Sequence, residues 1–174
     1  KDNERIRVIF KRSLQLLIIS GVLAGAILYF LSETISQQIF HNPQLIIYLK
    51  GFSFVIPFSI VSGMLLSIFL AYEKVGWNSF LNNILQNAVK LGTLFLFIAL
   101  GIGQKAIVFS YGLGIIVMCG TAFLLSRKMF PGLYGRASIG WAKEKMVLRE
   151  VLSYSWPIIF IGAIYAIFGW TDSI

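Results

Sequence analysis

The sequence predicts an all-α integral membrane protein, a polytopic bundle with five spanning helices. Three observations lead there. Of 174 residues, 57% are apolar and 13% are charged, whereas soluble domains are roughly 45–50% apolar and about 25% charged. The charges are gathered at the ends of long apolar runs. The basic residues also collect on one side of those runs, as the positive-inside rule requires of a cytoplasmic face. A surface left this apolar cannot be solvated by water, which excludes a soluble globular domain, a disordered segment and a fibrous repeat.

The spans follow from charge-free intervals, because the hydrocarbon core needs about 20 apolar residues of helix. Arg12 to Glu33, Lys50 to Glu73, Lys105 to Arg127 and Glu150 to Asp172 each enclose such a run. The first gives segment 13–32, with Gly21 and Gly25 as a GxxxG pair suited to close helix packing. The second gives 45–72, beginning at the interface with Leu45 to Leu49 and carrying Pro57, which is expected to kink it.

The third segment, 77–102, is assembled from two pieces. The apolar run between Lys90 and Lys105 is too short alone, and it comes after a stretch rich in Asn and Gln. At helical spacing Asn78, Asn82 and Gln86 align, as do Ser79, Asn83 and Asn87, making one polar stripe. Phe80, Leu81, Ile84, Leu85 and Ala88 lie opposite. Polar groups at membrane depth must face protein or a wet cavity. The stripe is therefore the first candidate binding surface, with Asn82, Asn83, Gln86, Asn87 and Lys90 as its members. Lys90 could meet an anionic group such as a phosphate, or snorkel to the interface.

The fourth segment is 105–126. A basic loop, 127–150, comes next, and within it Trp141 to Leu152 reads as an amphipathic helix on the inner leaflet. The fifth segment is 151–174, with Pro157 inside it. Asp172 closes the last charge-free run; it is either an intramembrane carboxylate, and so a candidate site residue, or the interfacial end of the helix. Glu33, Lys50 and Lys105 read as interfacial anchors.

Sidedness is set by the bases. Lys1, Arg5, Arg7, Lys11 and Arg12 precede the first segment, Lys74 comes after the second, and Arg127, Lys128, Arg136, Lys143, Lys145 and Arg149 come after the fourth. All three groups fall on one side, which is then cytoplasmic. A net charge of +8 therefore reads as membrane-flanking charge, and no nucleic-acid partner is expected. No catalytic constellation is present: the single histidine, His41, and the single cysteine, Cys119, stand apart from any carboxylate cluster, and no nucleophile elbow, Walker or zinc motif occurs. The chain is expected to be neither an enzyme nor a carrier of a metal or cofactor.

Certain patterns resemble a known family. They are Gly63-Met-Leu-Leu-Ser-Ile-Phe-Leu-Ala-Tyr-Glu-Lys74, then Asn83-Ile-Leu-Gln-Asn-Ala-Val-Lys-Leu91, then Gly101-Ile-Gly103, with Ser155-Trp-Pro157 through Gly169-Trp-Thr-Asp172 near the end. Together they resemble polysaccharide flippases of the O-antigen type, within the multidrug/oligosaccharidyl-lipid/polysaccharide exporter superfamily. The resemblance implies a two-lobe transporter working by alternating access. Residues 1–126 would be part of the first lobe, 127–150 the cytoplasmic interlobe loop, and 151–174 the truncated first helix of the second lobe. The chain is then expected to be an internal piece of a longer protein, unable to transport alone. The implied location is the cell membrane and the implied substrate a lipid-linked oligosaccharide or polysaccharide repeat unit, with a coupling ion as a further partner. A cation-coupled multidrug exporter or a lipid II flippase of the same superfamily is the alternative, although the spans before Asp172 hold no carboxylate for coupling. A non-transporting membrane scaffold is a third reading. A glycan polymerase or acyltransferase is disfavoured by short outer loops poor in charge.

Overall fold

The computed structural model describes residues 2–103 and 105–135, together with Arg149 and Ser153. Among these residues the secondary structure is helical, with no strand. Helix α1 runs Asp2–Thr34 and passes into a π turn, Ile35–Ile39. Helix α2 is Leu45–Ala71. Helix α3, Val75–Ser79, continues through a π segment, Phe80–Leu85, into α4, Gln86–Ala99. Helix α5 is Lys105–Met129, followed by a 3₁₀ turn, Pro131–Tyr134.

Among the described residues three helices are long and apolar enough to cross a bilayer: Glu4–Ile39, Leu45–Ala71 and Lys105–Met129. They coincide with the first, second and fourth segments expected from sequence. The third expected segment, 77–102, is a continuous helical run, but its Asn, Gln and Lys content leaves it outside that group. The segment 151–174 with Pro157 and Asp172, and the amphipathic stretch Trp141 to Leu152, lie outside the described residues but for Ser153 and Arg149, both helical.

Helix α1 is longer than segment 13–32 on both sides. Charge-free intervals mark where hydrocarbon can lie, not where hydrogen bonding stops, and the basic N-terminal residues continue the helix. Helix α2 passes through Pro57 as one helix. Its prolyl nitrogen has no hydrogen to give the carbonyl one turn back, that of Ser53. A Cβ built on Gly25 would lie 2.5 Å from that carbonyl oxygen and 3.7 Å from Pro57 Cδ, and one on Gly21 would lie 3.0 Å from Pro57 Cα. The glycine pair is thus where α1 meets α2. A Cα–H of Gly25 points at the freed carbonyl, a weak donor where the helix supplies none.

The chain divides into two compact units, Leu14–Pro131 and Lys1–Ser13 with Gly132–Ile174. In the first, α2, the π segment and α5 enclose a core of Leu65, Leu66, Phe69, Leu81, Met118, Cys119 and Ala122. Phe130 caps it, stacked on Tyr72 with centroids 4.3 Å apart and edge-on to Phe69 at 5.7 Å. The seam of α5 is built from small residues, with Ala106, Ser110, Gly112, Gly114 and Ala122 buried. Helices in lipid have no hydrophobic effect drawing them together, and small residues let backbones approach closely enough for dispersion to hold them. The buried serines donate within their own helices, as Ser110 Oγ does to the Ile107 carbonyl at 3.0 Å and Ser126 Oγ to Phe123 at 2.9 Å.

In the second unit, Val8, Phe10 and Leu133 are buried, Phe10 meets Tyr134 edge-on at 5.2 Å, and the Arg7 guanidinium donates to the Gly132 carbonyl.

Connections are tight. Helix α2 ends at a three-residue turn in which Glu73 adopts a left-handed φ of 57° and the Lys74 N–H donates to the Phe69 carbonyl at 2.7 Å. The α1–α2 link holds a second left-handed residue, His41, at φ 51°. Gly101 and Gly103, also left-handed, turn the chain out of α4.

Candidate functional site

The polar residues of the third helical run do not form one stripe. An α-helix repeats every 3.6 residues, and the expected alignment assumed that repeat throughout. The π segment Phe80–Leu85 takes in extra residues per turn, with bonds from i to i+5, and this rotates the faces of α3 relative to those of α4.

Asn78 consequently turns onto α2, its Nδ2 donating to the Leu66 carbonyl at 3.0 Å. Leu81 is fully buried in the core, whereas Phe80 and Ile84, expected with it on the apolar face opposite the stripe, are exposed. Asn82, Asn83 and Asn87 are exposed, and Gln86 and Lys90 are half-buried on the side that meets α5.

Asn83 Nδ2 donates to Ser79 Oγ at 3.2 Å, and Asn87 Nδ2 to the Asn83 carbonyl at 2.8 Å. These bonds run up the helix and hold the two amides in line. Each carboxamide keeps a second N–H, and its oxygen accepts. What this face can do is offer neutral donors and acceptors to hydroxyl-bearing groups.

Lys90 belongs to a different contact. Its Nζ lies 4.2 Å from the centroid of the Tyr111 ring on α5, within cation–π range. Tyr111 in turn meets Phe52 of α2 edge-on at 5.9 Å. Gly114 opens the space: a Cβ there would sit 3.1 Å from the Gln86 carbonyl oxygen and 3.4 Å from Lys90 Cβ. Lys90 therefore ties α4 to α5, with its charge on an aromatic face.

Glu33 and Lys50, expected as interfacial anchors, are an ion pair across α1 and α2, Lys50 Nζ to Glu33 Oε1 at 2.7 Å. Each closes the same end of adjacent antiparallel spans, and that placement was the signal in the sequence. Lys50 Nζ also lies 5.4 Å from the Tyr29 ring. Asp172 lies outside the described residues. Among the described residues no three His, Cys, Asp or Glu side chains converge.

No family model, curated protein or solved structure matches this chain.

Proposed function

We propose that this chain is part of a membrane flippase of the polysaccharide type. It would move a lipid-linked oligosaccharide or repeat unit across the cytoplasmic membrane by alternating access. In this reading 77–102 and 151–174 are the third and fifth spans of a five-span piece of a two-lobe transporter, and the basic ends face the cytoplasm. The observation that carries it is the exposed amide ladder of Asn83 and Asn87, joined by Asn82, on a helical run flanked by apolar spans. Polar side chains at membrane depth are costly unless they face protein or a wet cavity. Uncharged amides suit sugar hydroxyls, which both donate and accept. Lys90, on the Tyr111 ring, would support this face from behind instead of meeting a pyrophosphate directly.

The test is the full reading frame in a host that makes a lipid-linked glycan, followed by glycan reaching the outer leaflet. Asn83→Leu with Asn87→Leu is expected to cut export about tenfold or more, as losing two hydrogen-bonding partners to the substrate would, with membrane abundance unchanged. Normal export by the double variant, or no glycan dependence at all, returns the chain to the scaffold reading.

A further inference from the structure

On the α1–α2 pair lies a groove of about 430 Å³, away from the amide ladder. Tyr29 and Phe30 form one wall, Phe54 and Phe58 the other, and Gly25 and Pro57 the floor. The walls are open: Phe30 is 80% and Phe54 68% exposed. The floor is closed to polar ligands, because the Ser53 carbonyl freed by Pro57 is covered by Gly25. At one end stand Glu33 and Lys50, paired at 2.7 Å yet 61% and 32% exposed. Tyr29 joins the two features, since it lines the groove and its ring faces the Lys50 ammonium.

We infer that this groove holds one acyl chain of a zwitterionic phospholipid whose headgroup carries a primary ammonium, as ethanolamine does, with that headgroup seated on the Glu33–Lys50 pair. Size argues against a protein helix as the occupant. From Val22 to Phe30 the groove spans about 12 Å of helix axis, well short of the roughly 30 Å hydrocarbon core. A helix, about 10–12 Å across with its side chains, would overfill it. The upper part of one acyl chain fits between the rings. Charge argues for the headgroup. A phosphate takes the ammonium donors of Lys50 not directed at Glu33, and the lipid ammonium donates to the Glu33 carboxylate. An anionic lipid would satisfy Lys50 and repel Glu33. A choline headgroup has the right charges but no N–H to donate.

The experiment uses Phe54→Trp in the full chain with its four native tryptophans replaced by Phe, reconstituted in vesicles. Fluorescence is followed as acyl-brominated phosphatidylethanolamine, phosphatidylcholine or phosphatidylglycerol replaces unlabelled lipid. Half-maximal quenching by the ethanolamine lipid is expected at a mole fraction about threefold to fivefold lower than for the other two, the range that exposed charge pairs support. Glu33→Gln with Lys50→Gln should abolish the difference. Phe95→Trp, on a residue 72% exposed, reports bulk lipid and should respond alike in both backgrounds, which separates loss of the site from loss of the fold. Identical curves for the three lipids overturn the proposal, as does an ethanolamine preference that survives the double variant. Absence of quenching at Phe54→Trp would mean that protein covers the groove, and overturns it too.

Discussion

Gly25 shows how much one side chain's absence can decide. Its hydrogen occupies the place where any Cβ would meet the Ser53 carbonyl oxygen at 2.5 Å, and that oxygen belongs to backbone, which cannot swing aside. Gly25→Val should therefore part α1 from α2 and cost about 1–3 kcal/mol, the scale of overpacking. Gly63→Ala, inside α2 where a Cβ would meet nothing within 4 Å, should raise stability by about 0.5–1 kcal/mol, as removing a glycine from a helix interior does. Thermal unfolding of both variants in detergent checks the contrast, and equal midpoints would remove Gly25 from the packing argument. Glu73 is the opposite case, a side chain where glycine is the better residue. Its φ of 57° costs a residue with a Cβ roughly 1–2 kcal/mol, so Glu73→Gly should raise stability by up to about 1 kcal/mol after the unfolded-state entropy of glycine is offset. A lower unfolding midpoint would contradict that account. The glycine pair was legible in the sequence by its spacing. The left-handed glutamate was not, since nothing in Tyr72-Glu73-Lys74 marks a positive φ.

At the scale of elements, apolar runs bounded by charge located α2 and α5 closely: 45–72 against Leu45–Ala71 and 105–126 against Lys105–Met129. The helix starting near Trp77 was also legible, although half its length is polar. Its face was not. The sequence 80–85 is as compatible with an α turn as with a π turn, and the preference is set by Leu81 reaching the α2–α5 core and by Asn78 reaching the Leu66 carbonyl. Apolar content alone also fails to separate core from lipid-facing residues, because both are hydrophobic in a membrane protein. Phe69→Ala, at a side chain with no exposure, should cost about 3–5 kcal/mol. Phe95→Ala, 72% exposed, should stay within about 0.5 kcal/mol as open positions do. Unfolding in mixed micelles measures both, and similar losses at the two sites would displace the assigned core.

For the whole molecule, the fold class was plain from composition and charge spacing, and the described residues carry three helices able to span a bilayer. The number of spans rests on the charge-free intervals and the sidedness on the charge asymmetry. They predict that Gln38→Cys is labelled by an impermeant maleimide on intact cells, while Lys74→Cys is labelled only after permeabilisation. The reverse pattern would invert the orientation, and labelling of both from outside would remove the second span, 45–72, which alone separates the two sites. Of the candidate site, the helical run that carries Asn82, Asn83, Gln86, Asn87 and Lys90 was legible, but the π segment divides these residues between an exposed ladder and a face toward α5, and Asp172 lies outside the described residues.

The three-residue turn after α2, with Asn78 donating to Leu66, bears on how the chain enters the bilayer during synthesis. A helix carrying Asn78, Asn82, Asn83, Gln86, Asn87 and Lys90 partitions poorly from the translocon by itself, since each polar group at mid-membrane opposes insertion. Helix α2 has no such burden, and its carbonyl is within reach of the first amide as soon as the turn forms. In the proposed topology, where 77–102 spans, the two would form a hairpin that leaves the translocon together, the apolar arm carrying the polar one past a turn too short to let them part.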